Sequence, residues 1–289
     1  MNNGGYTALD IGNKAYQALL EEVYTTPKPG LVDPDTCGAH DDMDVAVFER
    51  SARALQPYFI HMAAEGCILD GSPEALFLAI RPIGLLAEQA MYHATDGVNT
   101  HKGLIFSLGI FCAAAGRCMR ESGTISLDSL IALEKQMTNR ILLEELERIR
   151  QQEATSHGEI NIQKYNARGI RGEAIEGYPA VRSLALPVMR KGLAEKRDWN
   201  LVKLQTLLVL MSSVEDSNIL ARHNPEVLSQ VHREAKAFLE TGGAYSAGAG
   251  ERLRQMDRDY VKRNISAGGC ADLLAVTIFL ETLMKKDGL

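Results

Sequence analysis

The sequence has little that would staple a fold covalently. Its five cysteines, Cys37, Cys67, Cys112, Cys118 and Cys270, are scattered and odd in number, and no two share a C-x-x-C spacing. That excludes a disulfide framework or a cysteine zinc site as the organising device and leaves reduced, packed thiols. An excess of basic charge is also missing: 31 Lys and Arg stand against 37 Asp and Glu, a net charge of −6. A nucleic-acid binder working through a broad basic surface is therefore not expected. Met1 to Leu9 is polar and glycine-bearing, with no basic start and no apolar stretch, so it does not read as a signal peptide. No uncharged apolar run reaches bilayer-spanning length. A cytoplasmic, soluble protein with neither membrane nor nucleic acid as partner is expected.

Strand signals are equally scarce. No Asn-Gly or Asp-Gly turn joins alternating segments, and no strand–helix alternation suggests a parallel sheet. What is present is helical spacing. Ile11, Ala15, Leu19 and Val23 form one stripe; Val47, Ser51, Leu55, Tyr58 and Met62 form a second, which Pro57 should kink or split. Ser72-Pro73 reads as an N-cap with proline at the first helical position, before Leu76, Ile80, Ile83 and Ala87, with a further break expected at Pro82. Leu104 to Met119, Leu130 to Ile141, Leu201 to Met211 and Leu273 to Met284 follow, the last apolar on most faces and so central and buried. With 289 residues, 46% hydrophobic, and no linker, the expectation is an all-α fold of about ten helices in one domain over 1–289. Glycines gather at the helix junctions, as in loops shaped for a ligand.

Six junctions carry polar groups. In Thr25–Asp33, Lys28 stands between two prolines on a stiff backbone, a ligand lysine or simply a helix stop. Cys37–Asp44 puts His40 and the carboxylates Asp41, Asp42 and Asp44 within five residues, suiting helix caps or a divalent cation. Asp96–Gly103 runs into the helix at Leu104: Asn99 or Thr100 can cap it, Lys102 adds charge for an anion at the helix start, and His101 can shuttle a proton or simply sit at the surface. In Gly169–Pro179, Arg171 between glycines can fork onto a phosphate, with Glu173 restraining it or binding metal. Glu215 and Asp216 follow the apolar helix from Leu201, an unfavourable end for negative charge unless a cation or an arginine resolves it; Arg222 and His223 lie just beyond. Asn264–Asp272 leads into the final helix, with Gly268-Gly269 as a turn and Asp272 in the first helical turn. Together the six suit a polyanion carried with a cation in a helical cup.

The blocks E-V-Y-T-T-P-K-P-G-L-V-D, G-A-H-D-D-M, R-P-I-G, G-V-N-T-H-K-G, G-I-R-G-E-A-I-E-G-Y-P, E-D-S-N and N-I-S-A-G-G-C-A-D-L-L run in order from residue 22 to residue 274. In this combination the chain resembles the 2-(5''-triphosphoribosyl)-3'-dephosphocoenzyme-A synthase family. It departs from the family pattern at Ala267, where proline is expected, at Cys270, where serine is expected, and at Arg222-His223-Asn224, where a basic-glycine turn is usual.

The resemblance implies an all-α enzyme that joins ATP to 3'-dephospho-CoA, releases adenine and passes its product to the citrate lyase acyl-carrier-protein transferase. A related enzyme serves malonate decarboxylase. It further implies attack of the dephospho-CoA ribose 2'-OH on the anomeric carbon of ATP, with inversion and oxocarbenium character. On that footing Lys28, Asn99, Lys102, Arg171 and Arg222 are expected to bind phosphate. Asp42, Glu215 and Asp216 are expected to hold Mg²⁺ or face the oxocarbenium, and His40 or His101 to act as base. The same reaction serving malonate decarboxylase, a helical ADP-ribosyl-type glycohydrolase using water on the same bond, and a non-catalytic helical partner of the lyase are the alternatives.

Overall fold

Thr7 starts the first helix with a reciprocal cap: its hydroxyl accepts from Asp10 N, and its own N–H donates to the Asp10 carboxylate at 2.8 Å. From there a computed structural model describes residues 5–285. The first four residues of the segment read as no signal peptide, and the two ends of the expected 1–289 domain, lie outside the described residues.

Thirteen α-helices follow in chain order: α1 (Ala8–Val23), α2 (Val45–Ile68), α3 (Pro73–Ala94), α4 (Lys102–Ser122), α5 (Leu127–Gln151), α6 (His157–Tyr165), α7 (Gly169–Glu176), α8 (Leu186–Ala194), α9 (Trp199–Met211), α10 (Ser217–Arg222), α11 (Pro225–Glu240), α12 (Ala249–Lys262) and α13 (Gly268–Met284). A π-helical turn, Ala180–Ala185, runs into α8, and a 3₁₀ turn, Gly243–Tyr245, precedes α12. No strand occurs among the described residues. The fold is all-α, as the periodicity implies. The count exceeds about ten because short α6, α7 and α10 fall in segments whose glycines and polar residues read as loop.

Two internal prolines leave their helices unsplit. Pro57 and Pro82 lie inside α2 and α3, and neither ends its helix. Both prolines are solvent-exposed, where water can satisfy the carbonyl that loses its partner. Ser72 caps Ala75 N at 3.2 Å with Pro73 at the first position, as read from sequence.

The stripe Ile11, Ala15, Leu19 and Val23 is buried, and α13 is buried along nearly its whole length. The α2–α4 crossing is the tightest packing: a Cβ on Gly66 would lie 2.0 Å from Ala113 O, and one on Gly116 would lie 2.0 Å from Ala63 O. Only glycine lets the two backbones come so close. By length and composition α4 could cross a membrane, contrary to the expectation that no segment would, but 78% of its apolar window is buried against other helices. It is the core on which the polar junctions are mounted.

Candidate active site

The starts of α4, α10 and α13 meet on one side of the fold, and two clefts open there. The first, about 430 Å³, is walled by the loops around Lys28 and His40 and by the start of α4. The second, about 690 Å³, is walled by α6, α7 and the segment from Val214 to Arg222. Asn99, Lys102, Gly103, Asn218, Arg222 and Asp272 line both. The clefts are thus two lobes of one site, each large enough for a drug-sized ligand.

Lys28, His40, Asp42 and His101 face the first lobe; Arg171 and Glu215 face the second; Asn99, Lys102 and Arg222 face both. Asp216 lines neither. Residues far apart in sequence are therefore collected into one site, but their local settings differ from what spacing suggested.

Lys28 is 1% exposed. Its ammonium donates to Glu22 O at 2.8 Å and forms an ion pair with the Glu22 carboxylate. Its charge is already matched inside the protein, so it is no free phosphate lysine on a stiff loop. Lys102 is half-exposed and reaches Glu88 at 3.0 Å, while Asn99 Oδ1 accepts from Lys102 N at 3.2 Å.

Glu215 and Asp216 do not sit at a disfavoured helix end. α9 stops at Met211, and the chain turns before α10 begins. Asp216 is the N-cap of α10, accepting from Asn218 N at 2.9 Å and Ile219 N at 3.2 Å. Its second oxygen accepts from Cys270 N at 2.8 Å in the first turn of α13. One buried carboxylate thus ties two helix starts together, a favourable position for negative charge. Glu215 accepts from the backbone N–H groups of Arg168 and Gly169 where α7 begins.

Gly268 and Gly269 are the first residues of α13, not a turn before it. A Cβ on Gly268 would lie 2.5 Å from the Asn218 amide, and one on Gly269 would lie 3.0 Å from Asp216. The E-D-S-N and S-A-G-G-C segments are therefore two halves of one junction. Likewise G-I-R-G-E-A-I-E is helix α7, and Asp272 falls in the second turn of α13 rather than the first.

The histidines are both held neutral. Burial and the Arg222 guanidinium lower His40 to about 4. Arg222 donates to His40 Nδ1 at 3.1 Å, and His40 Nε2 lies 3.0 Å from Ser266 Oγ. With Nδ1 accepting, the imidazole proton belongs on Nε2, and both ring nitrogens are engaged. His101 is 2% exposed and lowered to about 3, by burial first and by Lys28 second. Thr100 donates to Ser51 Oγ at 2.7 Å, and Ser51 Oγ lies 2.7 Å from His101 Nδ1, so that ring nitrogen is engaged inside the protein. In the second lobe burial pushes the Glu173 carboxyl up to about 7, while one oxygen accepts from Ala180 N at 3.1 Å.

Sequence reasoning overlooked three site residues: Asn218, Glu173 as an acid, and Asp272 as more than a cap. For Asp272 the signal was present. Its spacing of four from Gly268 puts both on one face of α13. Among the described residues no group of three or more His, Cys, Asp or Glu could close around a metal.

A family model described as CitG, ATP:dephospho-CoA triphosphoribosyl transferase, matches residues 8–289. A Klebsiella pneumoniae protein named 2-(5''-triphosphoribosyl)-3'-dephosphocoenzyme-A synthase is 40% identical over 278 residues, 95% of this chain and 91% of that protein. An Escherichia fergusonii protein of the same name is 38% identical over 283 residues, 97% of this chain and 93% of that protein. No solved structure matches. The match spans the residues that build both lobes, and the chain belongs to the ATP:dephospho-CoA triphosphoribosyl transferase family.

Proposed function

We propose that this protein transfers the 5''-triphosphoribosyl group of ATP to the ribose 2'-OH of 3'-dephospho-CoA, releasing adenine and making the prosthetic-group precursor of citrate lyase. The observation that carries this reading is the paired cleft: two lobes, each with basic side chains, joined through six shared residues in a chain of this family. A transfer between two nucleotides needs two nucleotide sites that meet at the reacting atoms.

In this reading Lys102, Asn99 and Arg222 hold phosphate where the lobes join, and Arg171 holds it in the second lobe. Lys28 contributes positive field from beneath the first lobe while bound to Glu22. His101 faces the first lobe, and His40 positions Arg222, with Asp42 at 3.8 Å from the His40 ring. Both histidines then act as positioning groups at the first lobe.

A Mg²⁺ ion fits as a partner of the triphosphate, bound by one or two carboxylates and by phosphate oxygens. Of Glu215, Asp216 and Asp42, which do not gather around one point, Glu215 is the proposed ligand: it lines the second lobe, Asp42 lines the first alone, and both Asp216 oxygens already accept backbone N–H groups. Bound there, the ion would neutralise phosphate charge. The product would pass to the citrate lyase acyl-carrier-protein transferase, and we place the reaction in the cytoplasm.

Incubation with ATP, Mg²⁺ and dephospho-CoA is expected to release free adenine, in step with dephospho-CoA consumed, and no ADP. Chromatography of the nucleotides reads this directly. ADP or phosphate as the main product would refute the reading, and adenine release without dephospho-CoA would favour a glycohydrolase.

A further inference from the structure

The reacting atoms of the proposed transfer must meet where the two lobes join. There a group has to take the proton of the attacking 2'-OH and face the positive charge that develops at the anomeric carbon. Six residues line both lobes. Asn99 and Asn218 are amides, Lys102 and Arg222 are cations, and Gly103 has no side chain. Asp272 alone is an acid. The imidazoles do not substitute for it, since His40 has both nitrogens engaged and neither His40 nor His101 lines the second lobe.

The setting of Asp272 is unlike that of the neighbouring carboxylates. Asp216, Glu215 and Glu173 each accept backbone N–H groups. Among the described residues no hydrogen bond or ion pair reaches the Asp272 carboxylate, and the charges acting on it, Glu22 and Asp216, are both of like sign. The residue is partly exposed to the lobes, so its carboxylate is held for the cleft and not by a partner within the protein. The first turn of α4 is also shaped around it: a Cβ on Gly103 would lie 2.2 Å from Asp272 Oδ2. The N-terminal end of α4 offers that oxygen the positive side of a helix dipole.

Resting on the function proposed above, we infer that Asp272 is a catalytic residue, its carboxylate accepting the dephospho-CoA 2'-OH proton as that oxygen bonds to the anomeric carbon of ATP. The C1'–N9 bond breaks with its electron pair leaving on adenine. Adenine takes one proton from solvent and Asp272 returns one, so the overall reaction is proton-neutral.

Asp272→Asn tests this. Turnover is expected to fall about 10²–10⁴-fold, the range for losing a general base. Calorimetric affinities for ATP and dephospho-CoA should stay within a few-fold, and the melting temperature should hold or rise, because a repelled carboxylate has been removed. Turnover within ten-fold of a working wild type overturns the inference while leaving the transferase reading intact. A variant that melts lower and binds neither substrate assigns Asp272 a structural role and also overturns it. A wild type that releases no adenine overturns the reading and the inference together. Gly103→Ala gives a second handle: its methyl would displace the carboxylate, so turnover should drop while both substrates still bind.

Discussion

Lys28→Ala is expected to cost about 3–5 kcal/mol of stability, the usual loss when one partner of a buried ion pair is removed. The Glu22 side chain is 4% exposed and would be left charged and unpaired. Against a typical total of about 5–15 kcal/mol for a folded domain, that is a large share. Denaturant unfolding of wild type and variant measures it. The double variant Lys28→Met with Glu22→Gln should recover most of the loss, because it removes both charges together. If Lys28 were instead a free phosphate ligand, the alanine variant would unfold with wild type and lose only ATP affinity.

The second large effect is expected at Arg222. Its guanidinium donates to Ala39 O at 2.8 Å, to Asn264 Oδ1 at 3.0 Å and to His40, and it lines both lobes. Hydrogen bonds to charged groups are worth about 1.5–3 kcal/mol, so Arg222→Ala should lower kcat/KM by roughly 10–150-fold. Because it serves both lobes, KM should rise for ATP and for dephospho-CoA alike. Arg171→Ala, by contrast, should raise KM for one substrate only, since Arg171 lines the second lobe alone. Steady-state kinetics varying each substrate in turn separates the two patterns. A rise confined to one substrate in Arg222→Ala would show that the lobes do not share it.

The helical core was legible because it is written in spacing. Ile11, Ala15, Leu19 and Val23 recur at helical intervals and are buried at those intervals. Ser72-Pro73 starts α3 by cap chemistry that needs only neighbours in sequence. What spacing could not convey was pairing across the fold. Nothing local marks Lys28 as bound to Glu22 or Ser51 as the partner of His101. The setting of Glu215 and Asp216 is not legible because in sequence they follow α9, whereas in space they belong to the helix starts of α7 and α10. The glycines misled for a related reason. Gly268 and Gly269 are short not to make a turn but to admit Asn218 and Asp216 against the first turn of α13.

In the proposed reaction two nucleotides occupy the two lobes and react at their junction. A crystal structure of the Asp272→Asn variant with ATP and dephospho-CoA bound tests it most directly. One nucleotide is expected in each lobe. The anomeric carbon of ATP and the ribose 2'-oxygen of dephospho-CoA should approach to about 3–3.5 Å beside position 272, between Lys102 and Arg222. Both nucleotides in a single lobe, or either one bound away from the residues the lobes share, would contradict the account.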